Sequence, residues 1–256
     1  MIKEIGLQLY SIRDFMKTEE DIRESFQKMR KYGYTQAQTT RCAIPYADFA
    51  RIANEEGIRI IGTHEDFDMM VSDFERSLEN HRILGTTNMG IGFIPLNTLE
   101  DVKRFIEKAN IVGEKAAKAG MKFTYHNHSH EFHKWENGKT TMDMMYEEFD
   151  PNNISFVLDT YWVQHGGADI RYWIEKLEGR IDILHLKDMK RVKPQESINV
   201  HQITEIGNGN LNWDLIIESA EKSAVKYYVV EQDNGWEVNC FQSIKKSAEY
   251  LRKYMI

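Results

Sequence analysis

The sequence predicts a single α/β domain that spans residues 1–256 and folds as a (β/α)8 barrel, with eight parallel strands and outer helices. Three observations support this prediction: the chain has 256 residues, amphipathic segments repeatedly end at glycine, and a short apolar run follows each segment. Barrels of this class form single domains of about 250 residues. The composition, 41% hydrophobic and 29% charged, excludes a disordered or collagen-like chain.

The helices are indicated by amphipathic stretches that end at glycine. The first covers residues 18–33, with Ile22, Phe26 and Met29 at helical spacing and acidic residues in its first turn, where they favour the helix dipole. Glycine suits the position after a helix because it adopts positive φ without steric cost. Later stretches end at Gly57, Gly85, Gly120 and Gly179, one ends at Asp150-Pro151, and the last covers residues 241–254.

Eight apolar runs between these stretches predict the strands. They cover residues 5–10, 34–40, 58–64, 88–94, 122–128, 154–163, 181–188 and 227–233. Strands that alternate with helices form parallel βαβ units. Neither a G-x-G-x-x-G segment nor a P-loop follows the first run, which disfavours an open nucleotide-binding sheet and favours the closed barrel.

Charge and cysteine content narrow the expected partners and compartment. The chain has 33 basic and 40 acidic residues, a formal net charge of −7, which argues against nucleic acid as a partner. Cys42 and Cys240 lie far apart in no metal or redox spacing, so a reducing compartment is expected. No signal-peptide core or long apolar run is present, which predicts a cytoplasmic protein without a membrane partner. A homo-oligomer stays open, since no segment indicates an interface.

Chemically active side chains lie at the ends of the last four predicted strands. Barrel enzymes carry their active sites at the carboxyl ends of the strands. His126 and His128 lie in the fifth strand, Asp159 in the sixth, His185 in the seventh and Glu231 in the eighth. This mixed nitrogen and oxygen set predicts one divalent ion, which could be manganese, zinc, cobalt or iron. Of the two histidines, His126 is preferred because it lies at the same depth as the other ligands, but either could bind.

Each of these residues taken alone also has a structural explanation. An aspartate at a strand end often caps the next helix, and a histidine between leucines can be a core residue. A carboxylate such as Glu231 after a fully apolar strand needs a partner. Four such residues on consecutive strands favour the metal site over coincidence.

Seven segments of the chain resemble the xylose isomerase-like TIM barrels, the sugar phosphate isomerase/epimerase group. They are GLQLYSIRD (6–14), YHNH (125–128), LDT (158–160), HGGAD (165–169), HLKD (185–188), EIGNG (205–209) and VEQD (230–233). The resemblance implies a divalent metal held by Glu, Asp, His and Glu on strands five to eight. Asp159, His185 and Glu231 match the last three positions, whereas His126 or His128 stands where the first glutamate is expected.

The resemblance also implies a sugar isomerase or epimerase that acts on a free sugar, a keto-sugar or a sugar phosphate. Such enzymes remove the proton next to a carbonyl while the metal holds the enediolate oxygens. Glu231 is the expected general base, and Lys187, on the same strand face as His185, is expected to stabilise negative charge or donate a proton. The second carboxylate of the epimerases is absent unless Glu131 reaches in from the following loop.

Other functions remain open at the sequence level. The His-Asn-His form at residues 126–128 resembles a branch with inosose-dehydratase-like and keto-glycoside-processing members, so a lyase, a dehydratase or a keto-glycoside-cleaving enzyme is the main alternative. A metal-free carbohydrate-binding barrel is a further alternative. The branch that cleaves DNA at abasic sites is disfavoured by the negative charge of the chain.

A small sugar or polyol is the expected substrate, and residues near the strand ends are expected to contact it. Aromatic faces commonly stack on sugar rings, and polar strand-end residues can bond sugar hydroxyls. The expected contacts are Gln8, His64, Trp162, His165, Trp213 and Trp236. The segment Gly207-Asn208-Gly209 is the glycine-rich element near strands seven and eight that could bind a phosphate.

Overall fold

The computed structural model of the protein describes residues 1–193 and 200–256. Within these ranges, eight parallel strands form a nearly closed barrel, and one antiparallel hairpin follows the seventh strand. The barrel strands are β1 (Ile5–Gln8), β2 (Tyr34–Thr39), β3 (Arg59–Thr63), β4 (Asn88–Ile91), β5 (Lys122–His126), β6 (Ile154–Asp159), β7 (Ile181–Leu186) and β10 (Tyr227–Val230). The hairpin consists of β8 (Asp188–Arg191) and β9 (His201–Thr204).

The helices of the described residues pack outside the barrel and between its strands in sequence. They are α1 (Glu19–Tyr32), α2 (Tyr46–Glu55), α3 (Phe67–Ser72), α4 (Phe74–Leu84), α5 (Leu99–Lys118), α6 (Thr141–Glu148), α7 (Thr160–His165), α8 (Ile170–Lys176), α9 (Trp213–Lys222) and α10 (Cys240–Leu251). Gly33 and Gly85 end α1 and α4 in the left-handed conformation, as predicted. None of these helices combines the length and the apolar character that crossing a bilayer requires.

The predicted strands are too long at their carboxyl ends. The sixth ends at Asp159, not at residue 163, because the Asp159 side chain accepts a hydrogen bond from the backbone N–H of Trp162 and caps α7. The first ends at Gln8, whose side chain accepts from the N–H of Tyr10 and starts a 3₁₀ helix. The apolar runs therefore contain the strand and the first turn of the next helix.

The strand order is β3-β2-β1-β10-β7-β6-β5-β4, so β3 and β4 are the two ends of the hydrogen-bonded ladder. The seam between them is closed by a few bonds. The Thr63 hydroxyl accepts from the N–H of Gly90 at 3.1 Å, and the N–H of Glu65 donates to the Gly90 carbonyl at 2.8 Å. A Cβ atom at Gly90 would collide with the Thr63 carbonyl, so the close approach of these strands requires glycine.

Side chains inside the barrel form two layers along its axis. A small apolar cluster of Ile61, Val157, Ile183 and Val229 fills the interior. Because side chains alternate along a strand, the residues two positions later on β6, β7 and after β10 point to the same interior at a higher level. Those residues are Asp159, His185 and Glu231. The interior apolar cluster therefore forms the floor of a polar site.

His81 of α4 supports the β3/β4 seam from the helix side. Its Nδ1 donates to the Ser77 carbonyl at 2.6 Å, so its Nε2 accepts from the Thr63 hydroxyl at 2.7 Å. Burial lowers the pKa of His81 to about 4. The imidazole is therefore neutral in the folded protein at neutral pH.

We expect acid to weaken the protein through His81. The unfolded chain takes up a proton near pH 6.5, but the folded imidazole does so only near about 4, so the free energy of unfolding decreases as pH falls through this range. The loss is up to about 3 kcal/mol. Urea denaturation of the wild type and His81→Gln at pH 7 and pH 4.5 measures it. Equal decreases in the free energy of unfolding of the two proteins would contradict the assignment. The control is His133→Gln, which changes an exposed histidine.

Candidate metal centre and adjoining cavity

Four side chains converge inside the barrel at the carboxyl ends of its strands. They are His126 of β5, Asp159 of β6, His185 of β7 and Glu231, which follows β10. Their ligand atoms all lie within 4.8 Å of one another, and all four residues are buried. Asp159 and His185 are paired in the strand register, which explains why they reach the same depth.

The distances in this cluster fit the ligand shell of one ion. His126 Nε2 lies 3.3 Å from Asp159 Oδ2 and 3.8 Å from Glu231 Oε2. His185 Nδ1 lies 2.9 Å from Glu231 Oε2 and 3.7 Å from Asp159 Oδ2. Ligands bound to a single ion at about 2.0–2.2 Å stand roughly 3–3.5 Å apart. The four atoms are therefore close to the spacing that coordination requires.

The hydrogen bonds of the two imidazoles leave their inner nitrogens free to bind a cation. His126 Nδ1 donates to the Gly92 carbonyl at 3.0 Å, and His185 Nε2 donates to Gln38 Oε1 at 2.5 Å. The inner nitrogens, His126 Nε2 and His185 Nδ1, face the carboxylate oxygens of Asp159 and Glu231. Outer hydrogen bonds of this kind fix the tautomer of metal-binding histidines.

Asp159 caps a helix and also faces the cluster. Its Oδ1 accepts from the Trp162 N–H at 2.9 Å and caps α7, while its Oδ2 faces His126 and His185. Its own backbone N–H donates to Asn127 Oδ1 at 3.0 Å. The helix cap thus holds the carboxylate in the orientation that turns Oδ2 toward the cluster.

Lys187 places a fully buried ammonium group beside the cluster. Its Nζ lies 2.9 Å from Asp233 Oδ2, 3.0 Å from Glu231 Oε2 and 3.3 Å from Asp159 Oδ2. Burial lowers the pKa of Lys187, but the three carboxylates outweigh burial and raise the pKa above its usual value. The lysine is therefore charged at neutral pH.

The same charges set the protonation of the cluster. Burial raises the pKa of Glu231, but Lys187 and His185 outweigh it and hold the pKa well below its usual range. For Asp159, burial is likewise outweighed by Lys187 and His126, and its pKa is lowered. Burial lowers the pKa of His185, whereas Glu231 and Asp159 raise it above its usual value. Both carboxylates are ionised at neutral pH.

His128 and Glu131 lie beside the cluster and are not among its four members. His128 is half-buried, packs against Trp162 and Phe93, and has no hydrogen-bond partner for Nδ1 among the described residues. Burial, with the neighbouring His126, lowers the pKa of His128 to about 2. Glu131 accepts from the Tyr125 hydroxyl at 2.6 Å and from the His128 N–H at 2.9 Å. Its carboxylate therefore holds the loop that carries His128.

The cluster opens into a cavity of about 490 Å³. Its walls include His64, His128 and Lys187 from the predicted set. Gln8 lies behind His64, with its Nε2 3.1 Å from His64 Nδ1. Five lining residues were not predicted from the sequence. Asp233 lies beside Lys187, and the other four, on the opposite wall, are Tyr10, Arg41, Glu65 and Phe93.

A sequence signal for the missed residues did exist. Tyr10, Arg41, Glu65 and Phe93 each lie two residues after one of the first four strands, so the strand-end rule applies to them as it does to the four cluster residues. The prediction concentrated on the second half of the barrel, where histidines and carboxylates are dense. Phe93 is 61% exposed and is the aromatic side chain at the rim of this cavity that contacts His128.

Three predicted substrate contacts lie elsewhere or at the margin. Trp213 is buried, and its indole N–H donates to Asp188 Oδ2 at 2.8 Å. Trp236 lines a separate cavity of about 170 Å³. His165 is exposed and stacks on Tyr161. Trp162, in contrast, lies under the Lys187 ammonium, with 5.1 Å between Nζ and the ring centre.

The glycine-rich segment 207–209 is wrapped around Asp188. The Asp188 carboxylate accepts from the N–H groups of Gly207 at 2.8 Å and Gly209 at 3.2 Å. A Cβ atom at Gly209 would collide with the same carboxylate. These amides are already bonded to an anion within the chain, so they are not free to bind a phosphate.

Comparisons with known proteins identify the same fold. The family model described as xylose isomerase-like TIM barrel matches residues 2–254. An inosose dehydratase from Geobacillus thermodenitrificans (strain NG80-2) is 26% identical over 173 residues. This match covers 62% of the chain and 56% of the relative, so the matched region spans little more than half the length of that protein.

Two solved structures share the architecture at low identity. A sugar phosphate isomerase/epimerase from Parabacteroides distasonis ATCC 8503 superposes with a TM-score of 0.83 at 24% identity, covering 98% of this chain and 93% of that one. A probable 3-DHS dehydratase from Bacillus anthracis superposes with a TM-score of 0.72 at 14% identity, covering 97% and 98%. These similarities confirm the predicted (β/α)8 barrel.

We expect metal analysis to identify the ligands. The untagged wild type, incubated with manganese, cobalt or zinc and desalted, should retain about one ion per chain by mass spectrometry. His185→Ala should lose the ion because it removes one of four ligand atoms, whereas His128→Ala should retain it.

Two results would contradict this assignment. A wild type that retains no ion would remove the metal centre, and loss of the ion in His128→Ala but not in a His126→Ala variant would move the fifth-strand ligand to His128. Circular dichroism melting of each variant separates loss of metal from loss of fold.

Proposed function

The chain belongs to the xylose isomerase-like TIM barrel family, and we propose that it is a divalent-metal-dependent dehydratase of an unphosphorylated keto-sugar or keto-cyclitol. In this reaction the carbon next to the carbonyl loses a proton and the following carbon loses its hydroxyl group as water. A double bond forms between the two carbons. The proposal rests first on the buried His126, Asp159, His185 and Glu231 cluster beneath a polar cavity.

The donor set of the cluster defines what it can hold. Two imidazole nitrogens and two carboxylate oxygens suit manganese, iron, cobalt or zinc. When bound, such an ion supplies Lewis-acid chemistry, which withdraws electron density from a substrate carbonyl and acidifies the neighbouring C–H bond.

Glu231 is the proposed general base. Its contacts with His185 and Lys187 all use Oε2, and Oε1 receives no hydrogen bond from the residues that the structure describes. The side chain also lines the cavity. Oε1 is therefore free to accept a proton from a substrate carbon placed over the cluster.

Lys187 is the proposed acid that assists the departing hydroxyl group. Its ammonium lies 3.0 Å from Glu231 Oε2 and lines the same cavity, so base and acid reach neighbouring atoms of one substrate. Three carboxylates keep the group protonated before the reaction. A proton from Nζ converts the departing hydroxide to water, and the abstracted proton can return to the lysine.

The arrangement of carboxylates favours dehydration over epimerisation. Epimerisation needs a second group to return a proton to the opposite face of the substrate. Glu131 is engaged by Tyr125 and by the His128 N–H, so we propose that it positions the His128 loop and does not contact the substrate. The curated relative is named as an inosose dehydratase, which supports the same choice. Isomerisation or epimerisation of a sugar remains the second candidate, favoured by the resemblance of the sequence to the sugar phosphate isomerase/epimerase group.

Polar groups of the cavity are proposed to bind sugar hydroxyls. Gln8 Oε1 accepts from the Tyr10 N–H, so its Nε2 donates to His64 Nδ1 at 3.1 Å. His64 consequently carries its proton on Nε2 and can donate it to a hydroxyl group. Trp162 offers an aromatic face next to Lys187. Trp213 is engaged with Asp188 and is not proposed to contact the substrate.

The charges around the cavity favour a substrate without phosphate. The amides of Gly207 and Gly209 are bonded to Asp188, and Lys187 is balanced by three carboxylates. Arg41, the other basic side chain of the described lining, is paired with Asp66 at 2.6 Å. An added phosphate dianion would therefore meet more negative than positive charge.

The activity test uses the metal-loaded wild type with an inosose and with a free keto-hexose. We expect a product 18 mass units lighter than the substrate, and in D2O we expect deuterium in recovered substrate if proton removal is reversible. A product of unchanged mass with deuterium at the carbon next to the carbonyl would instead establish the isomerase or epimerase. If neither the loss of mass nor the uptake of deuterium occurs with any substrate and metal, both proposals are contradicted.

Two isosteric variants separate the roles of the two glutamates. Glu231→Gln should lower kcat at least about a hundredfold, because it removes the proposed base. Glu131→Gln should lower the melting temperature while leaving kcat within about tenfold of the wild type, because the Tyr125 hydroxyl loses an ionic acceptor. Equal losses of kcat at unchanged melting temperature would indicate that Glu131 takes part in the chemistry.

A further inference from the structure

We propose that Asp233 is a positioning residue that holds the Lys187 ammonium away from the metal ligands when an ion is bound. The inference rests on the metal centre of the proposed function and deepens it. Asp233 follows β10 by three residues, lines the cavity and is not a member of the four-residue cluster.

Lys187 and the cluster share the same two oxygen atoms. Glu231 Oε2 lies 2.9 Å from His185 Nδ1 and 3.0 Å from Lys187 Nζ. Asp159 Oδ2 lies 3.3 Å from His126 Nε2 and 3.3 Å from Lys187 Nζ. An ion bound by the four ligand atoms would therefore lie close to the ammonium, with both cations bonded to the same oxygens.

Two neighbouring cations in a buried site repel each other strongly, since little water screens them. The repulsion favours movement of the ammonium away from Glu231 and Asp159. Of the three carboxylates that contact Lys187, Asp233 lies outside the four-residue cluster, with its Oδ2 2.9 Å from Lys187 Nζ. The lysine can therefore keep a charged partner while it yields the shared oxygens to the ion.

The backbone keeps Asp233 in place for this role. Its carbonyl accepts from Arg13 Nη1 at 3.2 Å, and the preceding Gln232 N–H donates to the Ser11 hydroxyl at 3.0 Å. The side chain is 20% exposed, so it faces the cavity and not the interior. An ammonium drawn to Asp233 is thereby presented to the substrate.

A different explanation must be separated from this one. Any carboxylate near the centre attracts a cation, so loss of the Asp233 charge could weaken metal binding without involving Lys187. That electrostatic effect is independent of the lysine. The proposed effect exists only while Lys187 competes for the shared oxygens, so a double-mutant cycle distinguishes the two.

The experiment measures the Kd of Mn²⁺ and of Co²⁺ by chelator competition for the wild type, Asp233→Asn, Lys187→Gln and the double variant. Asp233→Asn should weaken binding at least about tenfold, and Lys187→Gln should strengthen it by a similar factor. In the Lys187→Gln background, Asp233→Asn should change Kd less than about threefold. Substrate turnover plays no part in this measurement.

The matched control is Glu65→Gln, which removes a negative charge from the same cavity at a residue bonded to Tyr46. It should change Kd equally with or without Lys187. Lys187→Met provides a second uncharged variant if Lys187→Gln melts at a lower temperature than the wild type.

Three outcomes would overturn the inference. An equal effect of Asp233→Asn in both backgrounds would reduce Asp233 to general electrostatics, and an unchanged Kd in Asp233→Asn would remove it from the site. A wild type that binds neither ion would remove the metal centre itself. Binding with the expected coupling but without turnover would leave the positioning role intact and contradict only the proposed reaction.

Discussion

Burial of like and unlike charges inside the barrel is the constraint on which the rest of the structure depends. Two carboxylates, one ammonium and two imidazoles are almost fully buried there, and unpaired buried charges would be strongly destabilising. The strand register sets Asp159 beside His185, the cap of α7 orients Asp159, and Gly92 and Gln38 fix the two rings. The apolar cluster below gives these groups a dry floor, so their mutual attraction is weakly screened.

The barrel and the convergence of His126, Asp159, His185 and Glu231 could be predicted because both follow short-range rules. Glycines end helices, side chains alternate along strands, and active groups gather at strand ends. The positions of Trp213 and Glu131 could not be predicted in this way. Their hydrogen-bond partners, Asp188 and Tyr125, come within reach only in the folded chain. Strand ends were also misjudged, since a helix cap such as Asp159 looks like one more strand residue. Both kinds of error concern the choice of hydrogen-bond partner by a polar side chain, which the pattern of apolar residues does not encode.

Charge accounts for one difference between this chain and the pattern that its sequence resembles. The resemblance implies a ligand set with two glutamates and one aspartate, whereas this site has His126 in place of one glutamate. Asp159, Glu231 and Asp233 with the Lys187 ammonium leave two negative charges, which a single divalent cation would balance. A third carboxylate ligand would leave the buried site negative with the ion bound. With His126 as the fifth-strand residue and Lys187 paired with Asp233, the charges of the site and a bound divalent cation would therefore sum to zero.

The seam between β3 and β4 is the weakest junction in the wall of the barrel. Continuous ladders join all neighbouring strands from β3 through β1, β10, β7 and β5 to β4, and the four cluster residues lie on or just after strands in the middle of this order. Among the described strands, only the junction of β3 with β4 depends on the few bonds of Thr63, Gly90 and Glu65. Local opening follows the weakest set of backbone bonds, so motion of the barrel is directed to the side that bears His64 and Glu65. The centre can thus stay rigid while the facing wall widens. Opening at the seam would enlarge the cavity without disturbing the four cluster residues.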